Sequence, residues 1–129
     1  MWAIESDRLK EERLGALCDL MDMGGGGRIW IFDGVPRDVD LDDALATLEV
    51  PVPTKKLYDQ GVLYLNDVKK TLVDKTGTSA WAIIGTAYGQ ELLRVDVSES
   101  TGNGVIKLDS ETKILYAGGS ISILDFYIS

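Results

Sequence analysis

The hydrophobic pattern changes period once, near residue 27. Before that point Leu14, Leu17, Cys18 and Met21 recur at i, i+3, i+4 and i+7, the spacing of one buried helical face. This predicts a helix from about Asp7 to Met23. Ser6 is placed to cap it, and Asp7 puts an anion in the first turn, where the helix dipole favours one. Gly15 costs the helix about 1 kcal/mol against alanine and suggests a close approach to another backbone. The run Gly24-Gly25-Gly26-Gly27 ends the helix, because glycine accepts the left-handed conformations of a sharp exit.

Beyond residue 27 the period is two. Arg28–Phe32 (RIWIF) is apolar on both pleat faces, with Ile29 and Ile31 on one and Trp30 and Phe32 on the other. A strand covered on both sides has that pattern, and the helix is a natural cover for one of them. Further strands are expected at Leu45–Val52, Val62–Leu65, Val68–Val73, Ser79–Thr86, Leu92–Val97, Val105–Leu108, Thr112–Tyr116 and Ser120–Ile128. Pro51 and Pro53 confine the first of these to a sheet edge. In Leu92–Val97, Leu93, Val95 and Val97 face in while Arg94 and Asp96 face out. The last strand slips phase at Ile123-Leu124, which a β-bulge explains.

Eight or nine short strands after one helix, with turns every ~8–12 residues, predict a mainly β chain. Helices and strands do not alternate, so the expected fold is an antiparallel β-sandwich or jelly roll with one N-terminal α-helix. At 129 residues the chain supplies one core and one domain. Residues 1–23 form its arm and helix, and residues 28–129 its sandwich.

Charge narrows the partners. The net charge is -8, so phosphate backbones repel the chain and direct nucleic-acid binding is not expected. Lys55-Lys56 and Lys69-Lys70 are too sparse for a basic stripe and read as solvated strand or loop edges. No apolar run is long enough to cross a bilayer, and Met1 to Glu12 lacks the apolar core of a signal peptide. Cys18 is the single cysteine, so no intrachain disulfide forms, and synthesis in a reducing cytoplasm is expected.

Little chemistry is spelled out. Without histidine there is no Ser-His-Asp triad, no Cys-His pair and no imidazole ligand. Cys18 lies on the buried helix face and reads as a core residue. The four glycines lead from helix to strand and lack a following lysine, the reverse of a phosphate-cradling loop. Asp38, Asp40, Asp42 and Glu49 take calcium-loop spacing, but Asp43 stands where the turn needs glycine and no helices flank the segment. A solvated acidic loop is the plainer reading. Trp30 and Trp81 sit among aliphatic residues and read as core rather than as a sugar platform. No catalytic residue, metal site or cofactor is assigned, and an enzyme is not expected.

The order of segments resembles a known family. LGALCDLMDMG is followed by the glycine run, RIWIFDGVPRD, LATLEVPVP, TGTSAWAII and GVIKLDSETKILYAGGSISILDFYI. This is similar to small tailed-phage proteins with a helix, a glycine run, an LRIYTG-like strand, a GTAxWFRI-like strand and a final AGGxVxI strand. They are the jelly-roll cement or decoration proteins of phage heads. The likeness spans residues 9–128, and Thr54–Lys75 departs from it most.

The resemblance implies a structural virion protein, made in the host cytoplasm, that binds the outer surface of an assembled shell of major capsid protein. A molecule that binds only the assembled state stabilises it by mass action. Apolar and aromatic residues at tips and edges are the candidate anchors, here Trp2, Ile4 and Tyr58. Self-association is also expected, as a dimer before a trimer, with Ser120–Ile128 pairing with a twin chain. A tail or neck component and a carbohydrate- or receptor-binding module are the alternatives.

Overall fold

A computed structural model describes residues 6–128. Helix α1 (Asp7–Asp22) opens the chain. Twelve strands follow: β1 (Arg28–Phe32), β2 (Ala46–Glu49), β3 (Lys55–Asp59), β4 (Val62–Leu65), β5 (Thr71–Leu72), β6 (Gly77–Thr78), β7 (Trp81–Gly85), β8 (Glu91–Ser98), β9 (Ile106–Leu108), β10 (Ile114–Leu115), β11 (Ser120–Ile121) and β12 (Ile123–Ile128). The fold is mainly β with one N-terminal helix, as the periodicity predicts.

Eight strands form one sheet in the order β2-β1-β7-β8-β9-β12-β4-β3. Its two outermost strands are consecutive in sequence, joined only by residues 50–54. Laid flat, eight strands would set these edges about 34 Å apart at ~4.8 Å per step. Six Cα steps from Glu49 to Lys55 reach at most about 21 Å. The sheet therefore curls, and its two halves become the facing layers of the sandwich. Ile29 and Leu48 from one half share a core with Leu63, Ile106 and Phe126 from the other.

The helix closes this core. Leu14, Cys18 and Met21 are buried in it, and Leu17 packs at its rim. Ser6 Oγ accepts from Leu9 N at 3.1 Å, the expected cap. The helix ends are fastened to the β3 region. Asp22 Oδ1 accepts from Thr54 N at 2.8 Å and from Thr54 Oγ1 at 2.6 Å. At the other end Tyr58 donates its hydroxyl to Asp7 Oδ1 at 2.9 Å. Gly15 has open space where a Cβ would stand, so it makes no close backbone approach.

β1 and β7 are buried on both faces. Ile29, Ile31, Ala82 and Ile84 face the main core. Trp30, Phe32, Trp81 and Ile83 form a second cluster on the other face, roofed by Val39, Leu41 and Ala44 from the β1–β2 connection. The helix thus supplies one cover and this connection the other. Its DVDLDDA sequence puts apolar residues down and carboxylates up.

Several elements depart from expectation. β3 was not foreseen, and neither was β6. Leu45–Val52 shortens to β2, and Val68–Val73 and Thr112–Tyr116 shrink to two-residue strands. The expected last strand divides into β11 and β12, with a register shift between Ile123 and Asp125 where the bulge was placed. All neighbours pair antiparallel except β8 and β9, which meet in parallel over two residue pairs. Parallel strands ordinarily need a crossover of a dozen or more residues. Here a short loop suffices because only the end of β8 meets the start of β9. Ser98 Oγ accepts from Gly104 N and Asp96 Oδ1 from Val105 N, both at 2.9 Å, and these bonds hold the loop.

Candidate docking surface

The candidate anchors divide three ways. Trp2 and Ile4 lie outside the described residues. Tyr58 is half-buried on the inner face of β3, packs against the main core and gives its hydroxyl to Asp7. Its neighbour Leu57 points the other way. Leu57 pairs with Tyr64 on β4, and Tyr64 pairs with Tyr127 on β12. The two tyrosine rings lie 6.0 Å apart, tilted by 42°. Leu57 and Tyr64 are 52% and 40% exposed. The three residues form an outward apolar row across β3, β4 and β12. Sequence reading missed it because a bulge between Lys55 and Leu57 resets which β3 residues face out.

The acidic residues 38–49 do not converge. Asp40 Oδ1 accepts from Asp42 N at 3.0 Å and caps a short 3-10 turn, Leu41–Asp43. Asp43 pairs with Lys75 at 3.3 Å. Glu49 stands on β2 within 3.9 Å of Arg28. Among the described residues no three acidic or cysteine side chains gather where they could hold a metal ion. The carboxylates of Asp38, Asp40, Asp42 and Asp43 form the solvated upper side of the roof over the second cluster.

The described tryptophans are not a platform. Trp81 is 2% exposed, stacks on Phe32 at 4.8 Å and donates Nε1–H to Asp33 O at 3.0 Å. The Arg94 guanidinium lies 5.0 Å over the same ring. Arg94, which faces away from the main core as expected, lies along this cluster, held bidentately by Glu91 at 3.0 Å. Trp30 is buried beside them.

Cys18 is 2% exposed. Burial, reinforced by the nearby Asp22 carboxylate, pushes its thiol up to about 11, so it stays protonated at neutral pH. Such a thiol is a poor nucleophile.

Among the described residues no helix is long and apolar enough to cross a membrane. Within the Ser120–Ile128 segment, expected to pair with a twin chain, β12 is an inner strand between β9 and β4, while β11 pairs with β5 in a separate two-stranded sheet. Among the described residues, the edge strands of the eight-stranded sheet are β2 and β3. No protein family model, curated protein or solved structure matches this chain.

Proposed function

We propose that this chain is a structural virion protein that binds the outer surface of an assembled phage head and stabilises it by bridging major capsid protein subunits. The observation that carries the reading is the outward row of exposed Leu57 and Tyr64 and half-buried Tyr127 on an ordered sheet face. Aromatic side chains held on a rigid wall lose little conformational entropy on docking, which suits adhesion to a preformed surface. The sequence order that resembles phage cement proteins supplies the partner. The described tryptophans are buried, so a sugar-stacking module finds less support.

The test is binding to expanded heads. Purified protein is expected to sediment with them and to raise their melting temperature. Tyr64→Ser is expected to weaken binding while leaving circular dichroism unchanged. Protein that ignores matched heads overturns the proposal. Gold label confined to tails or the portal vertex would move the chain to a neck or tail role.

A further inference from the structure

Asn103 and Gly104 stand in the short loop that brings β9 beside the end of β8. Asn103 is exposed, and its side-chain amide makes no hydrogen bond among the described residues. Gly104 is buried, and a Cβ there would come within 2.7 Å of Ser98 N. Close packing therefore demands glycine directly after an unheld asparagine. With no side chain at 104, nothing shields the asparagine amide carbon from the backbone nitrogen that follows it. We propose that Asn103 is a site of spontaneous modification, passing through a succinimide to aspartate and isoaspartate, and that the Ser98 hydroxyl is the latch that slows it.

The chemistry needs only water. Gly104 N loses its proton to solvent and attacks Cγ of Asn103. The new N–Cγ bond closes a five-membered ring as the Cγ–Nδ2 bond breaks, and the amide nitrogen leaves as ammonia. Water then opens the ring. Cleavage of the N–Cγ bond gives aspartate on the original main chain. Cleavage of the old peptide bond reroutes the chain through Cγ and gives isoaspartate. The sum is amide plus water to acid plus ammonia, with no oxidation or reduction.

The structure sets the rate. Gly104 N donates to Ser98 Oγ at 2.9 Å, and that hydroxyl in turn donates to Glu99 O at 3.1 Å. A proton committed to this bond is harder to remove, and its N–H points at β8. Ring closure therefore waits for local opening of the loop. Asn66 is the contrast: its Nδ2 donates to Pro53 O at 2.8 Å and to Lys55 O at 3.4 Å, and Asp67 follows it instead of glycine.

Isoaspartate adds one main-chain atom just before two anchoring bonds, Gly104 N to Ser98 and Val105 N to Asp96. It also brings a carboxylate to a segment that already holds Asp96 and Glu99. The modified chain loses the parallel pairing of Val97 with Ile106 and of Ser98 with Lys107.

Ageing the full chain in mildly alkaline buffer tests this, with peptide mapping by mass spectrometry and selective methylation to count isoaspartate. Asn103 is expected to convert while Asn66 stays intact, and the urea-unfolded chain to convert faster than the native one. Ser98→Ala is expected to convert about fivefold faster than wild type, the effect of losing one hydrogen bond. A native Asn103 that survives while the unfolded chain converts fully overturns the site. Equal rates for native and unfolded chain, or an unchanged rate in Ser98→Ala, overturn the latch. Should Ser98→Ala fail to fold, the comparison of native with unfolded wild type decides alone. Asn103→Asp supplies the charge without the extra atom, so it is expected to melt above the purified isoaspartate form. Equal melting temperatures would overturn the loss of pairing.

Discussion

One carboxylate oxygen of Asp22 accepts two hydrogen bonds from Thr54, from the backbone N–H at 2.8 Å and the hydroxyl at 2.6 Å. Asp22 is the last residue of α1, where the dipole disfavours an anion. Local preference and tertiary demand conflict here, and the tertiary bonds prevail. Thr54 is fully buried, and its donors have no water to turn to.

Asp22→Ala is therefore expected to destabilise the fold by about 2 kcal/mol, because it leaves buried donors unsatisfied. Asp22→Asn keeps an acceptor and relieves the dipole, so its cost is expected to be below about 1 kcal/mol. Urea unfolding followed by tryptophan fluorescence separates the two. Equal losses would mean that the bonds to Thr54 do not carry the effect.

Gly26 has φ +114°, and a Cβ there would run into the carbonyl of Val50. Gly25 has φ +93° and nothing within 4 Å. Both alanine variants incur backbone strain, about 1 kcal/mol or more. Only Gly26→Ala also displaces the start of the β2–β3 connection. Its melting temperature is expected to fall further than that of Gly25→Ala.

The raised Cys18 thiol makes stability fall in alkali. In the unfolded chain it loses its proton near the ordinary value of 9.0, and in the folded chain only near about 11. Between these values the folded state binds more protons, so raising pH favours unfolding. Cys18→Ala removes that contribution at the cost of a small cavity. The stability difference between wild type and variant is expected to shrink as pH rises from 9 to 11. Below pH 8 the native thiol is expected to resist alkylation and to react only on unfolding.

Calcium is expected to leave the melting temperature unchanged, because Asp40, Asp43 and Glu49 are each engaged separately. A clear rise with millimolar calcium, reversed by chelator, would contradict this. Trp81→Ala empties the second cluster and is expected to cost about 3–5 kcal/mol. Loss of the stack on Phe32 and of the Arg94 contact adds to the transfer cost.

The helix was legible because its cap and stripe are local. β1 was legible because two-sided burial writes an unbroken apolar run. β3 was not: an edge strand needs only one inward residue, here Tyr58, so no alternation marks it. The roof over Trp30 and Trp81 is hard to read in sequence because its aspartates interrupt the apolar positions Val39, Leu41 and Ala44 and give the segment the look of a solvated acidic loop. The parallel β8–β9 contact involves residues that a short loop brings together, and nothing in their pattern signals direction. Tyr58 was singled out for its aromatic ring, yet the facing of β3 was set by the bulge beside it. Its unremarked neighbour Leu57 therefore holds the exposed place.

The short span between Glu49 and Lys55 works like the clasp of a bracelet. The wall is bent by chain length as well as by the packing it encloses. Threading several glycines into 50–54 would slacken the hoop without removing one core atom. Doing the same in the turn between β7 and β8, at Tyr88–Gln90, would leave the curvature alone. Thr54, seated at the clasp, then reports whether the bracelet is shut.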